Sequence, residues 1–136
     1  RHVEVARASH ERVILHSEIV VSFGAKNIFS WQIDQNAMPF SKDMLLTVNP
    51  WVSAVFARRE VFAEVPYVAC FPRQTGFGYE DWHWSCATVA AGFEHRVVSG
   101  TAYFYRLKES GSVNSVSNSI GVVMPPSELF GLGGLR

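Results

Sequence analysis

Two carboxylates stand side by side at Glu80 and Asp81, the only adjacent acidic pair in the chain. They lie where a stretch with a proline and two glycines, Phe71 to Gly78 (FPRQTGFG), runs into a helical pattern, Glu80 to Ala91. Acidic side chains in a first helical turn sit beside backbone N–H groups that have no intrahelical partner, which favours their charged form, while partial burial favours the neutral one. The pair therefore reads either as simple helix capping or as a general base with an acidic neighbour. Trp82, His83 and Trp84 follow at once. Aromatic faces next to a carboxylate can hold a sugar ring, and they can equally build a core.

The other polar residues carry less. The aspartates are Asp34, Asp43 and Asp81, no two of them one residue apart, so a D-x-D motif for a metal diphosphate is absent. His2, His10, His16, His83 and His95 share no ligand spacing and read as surface or packing residues. Twelve basic and twelve acidic residues cancel to a net charge of +0, which excludes a global field drawing the chain onto nucleic acid or an anionic membrane. No apolar run approaches the roughly 18–20 residues needed to span a bilayer. Cys70 and Cys86 lack C-x-x-C spacing and read as reduced thiols of a cytoplasmic protein.

The elements that must position these residues can be read from the pattern. Hydrophobic residues make up 48% of the 136, enough for one core and too few for two domains. Residues 1–130 are expected to form one unit, with 131–136 as a flexible tail. His2 to Glu11 reads as the tail of a helix, and Val13 to Phe23 as a strand that Gly24 ends. Ala25 to Leu46 reads as an irregular excursion with a short helical piece over Ser41 to Leu46. Pro50 to Phe56 has the look of a buried strand, and Arg58 to Val65 of a short helix that Pro66 stops. Phe71 to Gly78 reads as a loop, and Gly92 as the terminator of the Glu80 helix. Glu94 to Val98 and Thr101 to Arg106 read as two strands joined by a Ser99-Gly100 turn, followed by a flexible Ser- and Asn-rich coil over 109–119.

Taken in order, Asn49–Phe62 (NPWVSAVFARREVF), Gly78–Gly92 (GYEDWHWSCATVAAG) and Val97–Lys108 (VVSGTAYFYRLK) resemble the later half of bacterial family 2 glycosyltransferases, especially those of capsular and cell-surface polysaccharide clusters. The similarity spans roughly residues 12 to 130, and several motifs in matching order are more specific than one. It implies an α/β chain, a partial GT-A fold of the nucleotide-diphospho-sugar transferase type. Its mixed sheet would be flanked by helices, and the N-terminal nucleotide-binding half would be missing. The family's acidic motif falls on Glu80 and Asp81, with Asp81 as the base and Glu80 orienting the loop or hydrogen-bonding the acceptor.

Trp51, Trp82, His83 and Trp84 are candidate substrate contacts by their aromatic character and, for the last three, their place beside the acidic pair. By the resemblance, Arg106 and Lys108 would offset charge on the diphosphate leaving group, or else form a solvated pair at a strand end. Relatives often carry His where this chain has Tyr103, which leaves a metal ligand from that strand in doubt. A divalent metal, Mn or Mg, would belong to the complete enzyme, with none expected from this chain alone. The implied partners are a nucleotide-sugar donor and a glycan acceptor, without nucleic acid or a transmembrane segment. The open edges of a half-sheet would favour a homo-oligomer. The competing reading is a non-catalytic carbohydrate-binding or interaction module whose groove uses Trp51, Tyr79, Trp82 and Trp84.

Overall fold

In the computed structural model, which describes residues 1–109 and 119–131, a long strand forms the axis on which everything else is placed. This strand, β1 (Val13–Gly24), pairs in parallel with β4 (Glu94–Leu107). It pairs antiparallel with β2 (Ile28–Trp31) through Ile19 to Ser22, and with β3 (Phe56–Ala57) through Ile14 and Leu15. The result is a four-stranded mixed sheet with helices on both faces.

Period-two alternation along β1 sends its side chains to two different cores. Val13 and Leu15 pack with Val98 beneath Val5 and Ala6 of the helix α1 (His2–Ala8). Ile14 points the other way, into a cluster with Phe93, Val61 of α2 (Arg59–Glu64) and Trp84 of α4 (Glu80–Ala90). A third cluster joins Leu45, Trp51, Cys86 and Val89. Leu45 comes from a 3-10 turn, Lys42–Leu46, that falls inside the helical piece expected there.

Trp84 carries the second core. Its ring stacks on Phe62 (centroids 5.4 Å apart, 11° between planes) and on Tyr67 (4.9 Å, 10°), and its indole N–H donates to the Val65 carbonyl at 2.7 Å. Truncation to alanine would remove all of this and orphan the carbonyl. Trp84→Ala is expected to destabilise the chain by about 3–5 kcal/mol, read as a lowered midpoint in urea. A change of less than 1 kcal/mol would contradict the packing described.

Four local expectations differ from what is found. Of Pro50 to Phe56 only Phe56 lies in a strand, as the first residue of β3, although Trp51 is buried. Side chains there take the part of ladder partners, the Val52 N–H donating to Gln32 Oε1 (2.8 Å) and the Trp51 N–H to Asn49 Oδ1 (3.4 Å). The excursion from Ala25 holds a strand, β2, whose four residues are all exposed and so show no alternation to read. Phe71 to Gly78 contains one helical turn, α3 (Pro72–Thr75), closed by Gly76 at φ 73°.

Ser99-Gly100 is the fourth, and it is not a turn. β4 runs straight through, and the register jumps from Ser17–Val98 to Ile19–Ala102, so the extra residues are held as a bulge. Gly100 takes φ 68° there, its N–H donating to Glu18 Oε2 (2.7 Å), and the Glu18 N–H donates to Thr101 Oγ1 (3.2 Å). A glycine with positive φ serves a bulge as well as a turn, which is why the two look alike in sequence. The coil and tail expected over 109–119 and 131–136 fall outside the described residues for 110–118 and 132–136.

The upper part of the α1 side of the sheet stays uncovered. Trp31 and Ala102 flank Ile19 in register, and Phe29 and Phe104 flank Val21. Trp31, Phe29 and Phe104 are each about two-thirds exposed. Among the described residues no helix is long and apolar enough to cross a membrane.

Candidate functional site

The acidic pair is held in place by the loop that precedes it. Gly78 donates its N–H to the Val123 carbonyl (2.9 Å), and Val123 donates to the Gly76 carbonyl (3.0 Å), tying 76–78 to 122–123. A Cβ on Gly78 would lie 2.8 Å from the Val122 side chain, so the close approach requires glycine. Tyr79 then takes φ 57°, ψ 48° and is the only non-glycine residue with positive φ among the described residues. A left-handed tyrosine costs on the order of 1–3 kcal/mol and persists where its surroundings over-determine it. Here it turns the chain sharply into α4, so that Asp81 faces a cleft.

That cleft has a volume of about 310 Å³. Asp81 and Trp82 line it from α4, Tyr79 from the bend, and Tyr103 and Tyr105 from β4. Asn49, Trp51, Val52 and Ser53 close the remaining side. Tyr79 meets Trp82 edge-on (6.1 Å, 68°), and Tyr103 and Tyr105 stack side by side (6.4 Å, 26°). Trp82 is fixed by its indole N–H, which donates to the Leu45 carbonyl at 2.9 Å.

Asp81 is half-buried, and Glu80 is exposed outside the lining. Burial raises the Asp81 carboxyl above its ordinary value and the Glu80 charge adds to that, against hydrogen bonds from backbone N–H groups that favour the anion. One of these is the Trp82 N–H, 2.8 Å from Oδ1. Of the two opposed influences on a carboxylate in a first helical turn, desolvation wins here. A half-buried, destabilised carboxylate beside polar and aromatic groups can take a proton from a bound hydroxyl.

Trp51 forms a back wall, since it is only 3% exposed. Its ring lies on His95 (3.9 Å, 18°) and near His16 (5.5 Å, 13°), and its N–H donates to the Ile33 carbonyl at 2.7 Å. Behind it runs a buried polar chain: His16 Nε2 meets His95 Nδ1 at 2.9 Å, and His95 Nε2 meets Thr88 Oγ1 at 2.8 Å. Both rings read as packing residues, as expected, and burial keeps both neutral, pulling His16 down to about 3.

The remaining candidates lie elsewhere. Trp84 is two residues from Trp82, on the opposite face of α4, and is a core residue with 1% exposure. It is not a sugar contact. His83 faces a second cavity, of about 680 Å³, between α4 and Pro125–Pro126, and lies 3.2 Å through Nε2 from the Pro126 carbonyl. Arg106 follows Tyr105 on β4, so alternation turns it to the sheet face away from the cleft, and Lys108 is exposed just past the strand's end. Neither cation lines the cleft.

Among the described residues no three His, Cys, Asp or Glu side chains come together as a metal would require. Tyr105, Asn49 and Ser53 are lining residues that motif reading missed. The two-residue spacing of Tyr103 and Tyr105 in a strand was the available signal. No protein-family model, curated protein or solved structure matches this chain.

Proposed function

We propose that this chain is the acceptor-side part of a GT-A glycosyltransferase of family 2, binding the glycan whose hydroxyl receives the sugar. The half-buried Asp81 facing an aromatic cleft carries the reading. In the transfer, the Asp81 carboxylate accepts the hydroxyl proton while the acceptor oxygen bonds to the anomeric carbon of a nucleotide-sugar. The bond from that carbon to the diphosphate breaks with its electron pair, and the nucleoside diphosphate departs. A raised carboxyl pKa suits this role, because a stronger base takes the proton more readily at neutral pH.

Tyr103 and Tyr105 offer the ring faces and Trp82 the adjoining wall, while Asn49 and Ser53 can hydrogen-bond hydroxyls. Donor binding is assigned to residues outside this chain. The free thiols Cys70 and Cys86 suit the reducing cytoplasm, where nucleotide-sugars would be met. A non-catalytic carbohydrate-binding module is the second reading, favoured by the positions of Arg106 and Lys108, neither of which could offset leaving-group charge in the cleft.

Titration of the chain with oligosaccharides, followed by NMR, tests the cleft directly. Tyr105, 37% exposed, supports no core cluster, so Tyr105→Ala is expected to weaken saccharide binding roughly three- to tenfold at unchanged melting temperature. Equal affinity in the variant would remove the cleft as the sugar site. Binding that strengthens when a nucleotide-sugar is added favours the transferase reading, and binding indifferent to it favours the module.

A further inference from the structure

Resting on the sugar-acceptor reading, we infer that the cleft selects acceptors by charge: it takes neutral or amino-bearing saccharides and turns away anionic ones such as uronic acids. Its lining contains one ionised group, the Asp81 carboxylate. The other polar side chains are Asn49, Ser53, three phenols and the indoles of Trp51 and Trp82, and among the described residues no lysine or arginine contributes. Glu80 adds a second negative charge one residue away.

Glu80 is the one charged side chain among the causes that shift Asp81, and several basic side chains are engaged or turned elsewhere. Arg12 bonds Glu64 at 2.9 Å, and Arg96 bonds Asp34 at 3.0 Å on the outer side of β4. Arg106 projects from the opposite sheet face. The negative field extends past the cleft itself: Tyr67 is held above its ordinary value by burial first and then by Asp81 and Glu80, and Cys70 by burial first and then by Glu80.

A sugar carboxylate entering here would meet like charge in a partly desolvated setting with no counter-ion. An uncharged hydroxyl-rich ring meets none of this cost, and an ammonium group is attracted. With about 310 Å³ available, the discrimination applies to a mono- or disaccharide end and not to charges farther along a polymer.

Three β-linked disaccharides that differ only in the non-reducing ring make the test: glucose, glucosamine or glucuronic acid, each titrated into the 136-residue chain at low salt. The glucuronic acid compound is expected to bind at least about tenfold more weakly than the glucose compound, with the gap narrowing in high salt. In Asp81→Asn the acid-to-neutral affinity ratio should move toward one, a gain that misfolding cannot produce. Equal binding of acid and neutral compounds, or a ratio unmoved by Asp81→Asn, overturns the charge selection and leaves the sugar site standing. If none of the three binds, the sugar-acceptor reading falls and the selection with it.

Discussion

On the proposed transferase reading, Asp81→Asn is expected to lower the sugar-transfer rate by about two to four powers of ten while leaving the fold as stable as before, or more so. Asparagine is nearly isosteric and can still hydrogen-bond an acceptor, so KM should change far less than kcat. The stability half of the expectation follows from the sign of the shift. The folded carboxyl is raised above its ordinary 3.8, so whatever Asp81 contributes is present below that pH and is lost as pH rises through the folded value. At neutral pH the charged form is a burden that asparagine removes. Thermal melts of the variant at pH 7 should match the parent or exceed it by a few degrees. A rate within threefold of the parent would end the general-base assignment, and a large drop in melting temperature would make Asp81 a structural cap.

The second large effect is expected on acidification. His16 and His95 are buried in contact with each other and held neutral, mainly by desolvation and then by neighbouring histidine charge, His2 acting on His16 and His16 on His95. Asp34 partly opposes this at His16. Both folded values lie below the ordinary 6.5, so the unfolded chain takes up protons that the folded chain refuses. Their contribution to stability is complete above pH 6.5 and falls as pH drops below it, for His16 down to about pH 3. Each histidine well inside its window costs about 1.4 kcal/mol per pH unit. By pH 4.5 His16 alone costs on the order of 2–3 kcal/mol, and His95 adds to this in the same direction.

Asp34 adds a separate loss at lower pH. Burial pushes its carboxyl up, but hydrogen bonds from the Val97 N–H, Arg96 and the Asn36 N–H outweigh that and lower it below 3.8. Its contribution is therefore lost only in the carboxylate range, which separates it from the histidines. Melting temperature measured from pH 7.5 to 4.5 should fall steeply from just below pH 6.5. His16→Asn, which binds no proton when unfolded, should make that slope shallower whatever it does to stability at pH 7. A melting temperature flat between pH 6.5 and 4.5 would show that the pair is not held neutral.

The chain's α/β character was legible in its sequence because the signals were local. β1 is a β-branched run ended by glycine, α4 begins at an acidic pair and ends before Gly92, and Val61 lies on the core side of α2. Local pattern also put Asp81 at a helix start, and the tertiary structure brings it into a cleft with Trp51 and Trp82. What local pattern could not decide was direction. Trp82 and Trp84 are alike in the sequence, yet two residues on a helix are turned well apart, and only the placement of α4 against Val61 and Ile14 makes one a wall of the cleft and the other a core residue. Arg106 and Tyr105 are adjacent, yet the pleat of β4 sends one away from the cleft and the other into it. The His16–His95 contact joins residues 79 positions apart, and only the parallel pairing of β1 with β4 brings them together. Residue type and spacing are written along one chain, whereas the face a side chain presents, and the charge it can keep there, depends on what packs against it from elsewhere.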